Sequence, residues 1–262
     1  MKKYEFRAFF SKRQNSNLFY VYNNCILRGK HRKHSHGEKM KQVTFYYCIH
    51  GETLFNSAGR MQGWCDSPLT DRGRNQMLEA GKSLRPVPFA GAYVSVSERC
   101  RDSVELLMSG KDLSVTYLKS LRDQFYGALE GVLISSAEQE IDAIRRGERD
   151  YSRYGGESIQ NFRHRIGEIY RKIYDRCEDM DRILIVSHAG PFLELLNVLM
   201  DIPYEKLLDH YGKDGSDTLS VSGFAGTFCC RDGAWDLLTL SDTDSVTLRR
   251  LKESRRGRLM IP

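Results

Sequence analysis

A chain of 262 residues with 40% apolar and 28% charged residues fits one globular domain, or one domain with an extension. No apolar run approaches the ~20 residues that cross a bilayer, and Arg7, Lys12 and Arg13 interrupt the N-terminal aromatics, so neither a membrane helix nor a signal peptide is expected. Seven cysteines, odd in number, scattered and without a CxxC pair, point to reduced, mostly structural thiols and so to the cytoplasm.

The net charge of +6 is uneven. Residues 1–41 carry 11 Lys/Arg against Glu5 and Glu38, a net of +9 that leaves the remainder at −3. Arg249 to Arg258 adds six basic residues against Glu253. Two basic ends suit either an anionic surface or solvated termini. The second reading is taken, so neither nucleic acid nor membrane is expected as a partner. The stretch GKHRKHSHGEK brings His31, His34 and His36 together, but no cysteine or carboxylate stands at a spacing that would complete a metal site. The expected organisation is a basic extension over 1–41, a catalytic domain over 42–245 and a basic tail over 246–262.

From Val43 the pattern alternates strand and helix. Val43–Ile49, apolar and aromatic, reads as a buried strand ending in His50-Gly51-Glu52-Thr53. Thr70 is placed to cap a helix running to Leu84. Further strands are expected at Gly91–Ser95, Ser114–Leu118, Arg182–Ser187 and Thr218–Val221, and a closing hairpin turns at Asp232-Gly233. Between Glu157 and Cys177, Ile159, Phe162, Ile166, Ile169, Tyr170 and Ile173 repeat with the helical period. Pro191 opens an apolar helix to Met200, where its missing N–H costs little. Alternating strands and helices predict an α/β fold, a three-layer α/β/α sandwich around a mostly parallel central sheet.

Two histidines close strand-like segments: His50 after FYYCI and His188 after ILIVS. The carboxyl edge of a parallel sheet is where such folds bind ligands, and a matched pair of histidines there points to one shared site. Four ordered blocks carry a further signal: FYYCIHGETLFN, VSVSERCRDSVELL, LRDQFYGALEG and VSHAGPFLELL, with GGES before the long helix. Together they resemble the histidine phosphatase superfamily, the phosphoglycerate mutase-like enzymes, over most of residues 43–240.

The resemblance implies a nucleophile at His50 that forms a phosphohistidine, phosphate binding by Arg99 and His188, and a proton donor at Asp123, where the family more often has Glu. It assigns phosphate or substrate contacts to Asn56, Arg60, Gln62, Gly63 and Ala189, the last in place of the usual Gly, and a supporting or alternative acid role to Glu157. Cys48 and Cys65 are expected as buried packing residues, and Trp64 and Tyr126 as residues of the site mouth or of the core. The family reads Arg-His-Gly-Glu-Thr, so Ile49 stands where an arginine would offer a planar fork of donors to phosphate. Three outcomes stay open: a substitute such as Arg60 or Arg101 beside Arg99 and His188, a substrate with less charge at the reacting group, or a non-catalytic binder of phosphorylated ligands. The function implied is hydrolysis of a small phosphomonoester, without metal or cofactor. The alternatives are a bisphosphoglycerate-dependent mutase, disfavoured by the short stretch 132–155, and an impaired protein that binds phosphorylated ligands. Arg145, Arg146, Arg149 and Arg153 in that stretch suggest anionic groups on the substrate, and the sequence leaves the oligomeric state open.

Overall fold

Along Val43, Phe45, Tyr47 and Ile49 the side chains alternate with Tyr46 and Cys48, and the two sets enter different cores on the two faces of one strand. That strand, β1 (Gln42–Ile49), lies inside a six-stranded sheet in a computed structural model that describes residues 40–146, 148–211, 223–241, 248–249 and 252–253. The histidine cluster of the extension, the expected strand at Thr218–Val221 and most of the basic tail lie outside the described residues.

The other strands are β2 (Gly91–Ser95), β3 (Val115–Leu118), β4 (Arg182–Ser187), β5 (Gly223–Arg231) and β6 (Ala234–Leu240), in the spatial order β3-β2-β4-β1-β5-β6. The first four in that order run parallel, while β5 is antiparallel to β1 and forms a hairpin with β6. The hairpin turns at Asp232 (φ 46°) and Gly233 (φ 79°), the left-handed pair that a two-residue turn requires. The sheet is therefore mixed, with a parallel centre and an antiparallel margin.

Helices cover both faces. On one side α2 (Asp71–Leu84) and α3 (Glu98–Leu107) bury Met77, Leu84, Cys100, Val104 and Leu107 against Cys48, Val94, Leu184 and Val186. On the other, α5 (Ile159–Arg176) and α6 (Ala189–Met200) pack on Phe45, Tyr47, Ile49, Ile185 and Phe228. All six periodic residues of α5 are buried. Thr70 accepts from the Gly73 amide and caps α2, and Ser158 does the same for α5 through Asn161. A short α1 (Leu54–Ser57) follows the first histidine, and α4 (Glu138–Arg146) and α7 (Tyr204–Tyr211) complete the helices named here. Among the described residues no helix is long and apolar enough to cross a membrane.

Candidate functional site

Strand register builds the site. Ile49 pairs with Ser187 at the ends of β1 and β4, so the next residue on each strand, His50 and His188, leaves the sheet side by side. Their ring centroids are 5.2 Å apart. Glycine lets the chain turn away immediately: a Cβ on Gly51 would come 2.4 Å from the Gly73 carbonyl oxygen, so the start of α2 packs directly on this backbone.

His50 is 8% exposed, and its Nδ1 lies 2.8 Å from the Gly51 carbonyl. A carbonyl oxygen only accepts, so the proton is on Nδ1 and Nε2 keeps its lone pair. Burial, and then the charge of Arg99, push the imidazole down to about 3, which keeps it neutral and nucleophilic in mild acid.

Arg99, from the first turn of α3, is wholly buried. Its Nη1 donates to the Cys65 carbonyl (3.0 Å) and to Asp66 Oδ1 (2.6 Å), and its Nη2 to the Gly63 carbonyl (2.7 Å). Nη2 also lies 3.0 Å from His188 Nδ1. Because a guanidinium cannot accept, His188 Nδ1 is the acceptor and its Nε2–H donates to Ser95 Oγ at 2.9 Å. Burial, followed by Arg99 and His50, holds His188 well below the usual imidazole range. Ser95 closes β2 and is a partner that sequence reasoning left out; its signal was a serine at a strand end within the VSVSERC block.

Asp123 approaches from the loop after β3. Its Oδ1 accepts from the Gln124 amide (2.9 Å), and a Cβ at Gly190 would come 2.5 Å from that oxygen. The second glycine-like position of VSHAG is thus the place where the carboxyl lies on the start of α6, while Ala189 is half-buried at the helix's first residue. Desolvation raises Asp123 to about 6, against the opposing pull of Arg99, the Gln124 amide and Arg165. A carboxylic acid with that value can both give and take a proton near neutral pH.

The remaining expected residues mostly hold loops. Asn56 Oδ1 accepts from the Thr53 amide and hydroxyl, forming the capping box of α1, and Gln62 is buried against Thr53 and Ser67. Arg60 Nη1 donates to the Gly131 carbonyl (2.7 Å). Arg101 donates to the Val96 carbonyl and lies over Tyr117 on the surface. Both expected substitute arginines are instead held by backbone carbonyls elsewhere. Gly63, at φ 60°, passes so close to Glu130 that a Cβ would meet Oε1 at 2.3 Å. Glu130 itself binds the amides of Trp64 (2.7 Å), Cys65 (3.0 Å) and Tyr126 (3.2 Å), a loop-fastening role that the YGALEG pattern contained unread. Cys48 is buried as expected, but Cys65 is half-exposed because it belongs to this loop.

Glu157 is engaged by Arg165 at 2.6 and 2.9 Å. Arg165 in turn donates to the carbonyls of Ser120, Arg122 and Asp123, fixing the Asp123 loop. Arg165 sits on the polar flank of α5, where periodicity carries no signal for it. Trp64 stacks on Phe125 (4.8 Å) and donates Nε1–H to the Asp123 carbonyl, placing it at the mouth rather than in the core. Of the arginines of 132–155, Arg149 is buried and paired with Glu194, Arg153 pairs with Glu140, and Arg145 hydrogen-bonds Tyr151; the Arg146 side chain lies outside the described residues. Two surface clefts of about 210 and 380 Å³ are lined by Ser120, Arg165 and their neighbours and by Val87–Phe89 with Gly110–Leu113, and neither is lined by a histidine of the pair. No metal-binding cluster of histidine, cysteine and carboxylate occurs among the described residues.

Comparison with known proteins shows the family and the fold. The pattern that defines the histidine phosphatase superfamily (branch 1) matches residues 46–242. The 2,3-bisphosphoglycerate-dependent phosphoglycerate mutase 2 of Gloeobacter violaceus is 28% identical over 166 residues, 60% of this chain and 76% of its own. Among solved structures, YhfR of Bacillus stearothermophilus superimposes with a TM-score of 0.64 at 26% identity, covering 78% of this chain and 99% of that one. The alpha-ribazole phosphatase of Shigella flexneri gives 0.62 at 24% identity over 76% of this chain and 96% of its own, a likeness of fold.

Proposed function

Because the chain belongs to the histidine phosphatase superfamily (branch 1), we propose that it hydrolyses a small phosphomonoester through a phosphohistidine on His50. The observation that carries the proposal is the tautomer of His50: Nδ1–H is held by the Gly51 carbonyl, and Nε2 is left unprotonated beside Arg99 and His188. In the first step Nε2 attacks phosphorus, the bond to the ester oxygen breaks, and Asp123 gives its proton to that departing oxygen. In the second, Asp123 carboxylate takes a proton from water, the resulting hydroxide oxygen bonds phosphorus, and the P–N bond breaks to return neutral His50 and inorganic phosphate. Arg99 and the amides at the start of α6 offer positive charge to the equatorial oxygens in both steps. Neither step asks for a metal or cofactor, and the reduced, mostly buried cysteines suit the cytoplasm.

A second reading, a bisphosphoglycerate-dependent mutase, is favoured by the Gloeobacter relative. One experiment separates the two. The protein is incubated with p-nitrophenyl phosphate and with a panel of sugar and glycerate phosphates, beside a His50→Ala variant. Phosphate release that His50→Ala abolishes supports hydrolysis. Isomerisation of a phosphoglycerate that requires bisphosphoglycerate, with little phosphate released, replaces the first reading by the second.

A further inference from the structure

Residue 49, beside the proposed nucleophile, is an isoleucine only 3% exposed and packed into the core between the sheet and α5 and α6. It offers no donor to a phosphoryl group. The neighbourhood nevertheless contains a second guanidinium. Ser187, the register partner of Ile49, donates Oγ–H to the Leu121 carbonyl at 2.6 Å, and Arg165 fastens the carbonyls of Ser120, Arg122 and Asp123. Arg122 therefore projects from a segment docked on the carboxyl ends of β1 and β4, one residue before Asp123.

Its side chain has the features of an arginine without an acceptor. The guanidinium lies over the Trp64 ring, 5.0 Å from the centroid, and Arg122 makes no side-chain hydrogen bond or ion pair among the described residues. Buried side-chain atoms without a partner are few here, and the two arginine atoms among them are Nε of Arg99 and Nε of Arg122. A buried N–H that has given up water and gained no acceptor lowers stability, so its persistence points to an acceptor supplied from outside. Both guanidinium groups approach the same dipeptide: Arg99 donates to the Gly63 carbonyl, and Arg122 covers Trp64. Both also act on His188 through their charge.

We infer that Arg122 is a phosphoryl-binding residue that, with Arg99, supplies the guanidinium density Ile49 cannot. The inference rests on the phosphoryl-transfer reading above and names a residue for it. A tetrahedral dianion seated beside the two histidines accepts from Nε of both arginines, and Trp64 keeps the Arg122 guanidinium in place by lying along its face. Lysine lacks the planar fork and is a partial substitute only.

The test is the binding of inorganic phosphate to the full chain at pH 7.5, followed by calorimetry and by Trp64 fluorescence in a Trp235→Phe background. Arg122→Gln is expected to raise the dissociation constant at least tenfold and to abolish the phosphate-induced change in Trp64 emission. Arg122→Lys should fall between the two, with melting temperatures of the phosphate-free proteins unchanged within about two degrees. Phosphate binding by Arg122→Gln equal to that of the wild type overturns the inference, as does a wild type that binds no phosphate. Should the wild type bind phosphate through Arg122 yet form no acid-labile phosphoenzyme with any substrate, the catalytic reading fails while the assignment of Arg122 stands.

Discussion

Asp123 lies against Gly190 so closely that a single added carbon at the glycine would stand 2.5 Å from Oδ1. The proposed acid is thus positioned by the absence of a side chain on another element. Gly190→Ala is expected to push the carboxyl away from the start of α6 and to lower kcat by about a hundredfold on alkyl phosphates, the lower end of general-acid contributions. With p-nitrophenyl phosphate, whose leaving group needs no proton, the loss should be much smaller. Equal losses on both substrates would assign Gly190 a packing role only.

The rate should have an acidic optimum. His50, the proposed nucleophile, is pushed down to about 3 and is unprotonated above that value, and Asp123, the proposed donor, is raised to about 6 and is protonated below that value. For alkyl phosphates kcat/KM is therefore expected to rise through about pH 3, hold, and fall as pH increases through about 6. Asp123→Asn should remove the upper limb along with most of the activity. A profile flat from pH 5 to pH 8 speaks against the assignment of Asp123.

Stability depends on the same two groups with opposite signs. The folded value of His50 is below the ordinary 6.5, so the unfolded chain takes up a proton that the folded chain refuses. Its contribution is complete above about pH 6.5 and is lost as pH falls toward about 3. The folded value of Asp123 is above the ordinary 3.8, so the folded chain holds the extra proton. Its contribution is complete below about 3.8 and is lost as pH rises through about 6. In urea titrations between pH 4 and 6, His50→Asn should flatten the rise of stability with pH and Asp123→Asn should steepen it.

Glu157 and Arg165 form a largely buried pair, with side chains 13% and 17% exposed. Removing one partner of such a pair typically costs about 3–5 kcal/mol. Arg165→Met also releases three carbonyls of the Asp123 loop, so both the melting temperature and kcat are expected to fall. Glu157→Gln should lower stability but keep the alkaline limb of the pH–rate profile near 6. Loss of that limb would make Glu157 the acid in place of Asp123.

Much of the sheet is legible in the residues themselves. Val43–Ile49 is rich in apolar and aromatic residues and 183–186 is a continuous apolar run because both faces of these central strands are covered, and the six periodic residues of α5 all enter one core. The hairpin follows from Asp232-Gly233, where local sterics decide the turn. His50 and His188 are visible as catalytic candidates because each ends such a run.

What joins distant segments is not written locally. Periodicity says which face a residue takes but not which loop will cross it, so Arg165 carries no signal until the 120–123 carbonyls lie beside it, and the motif residue Glu130 shows its role only once the amides of Trp64 and Cys65 do. Arg60 and Arg101 are the substitutes the chain suggests because both are cations near a motif, and Arg122 is not singled out there. By itself the sequence determined the strands, the long helices and the two histidines, through burial and backbone sterics acting over a few residues. Only the tertiary structure decided the tautomers of those histidines, the carboxyl raised by desolvation and the arginine left without an acceptor. Each of these depends on which donors and acceptors the fold brings within about 3 Å, the distance over which hydrogen bonds act.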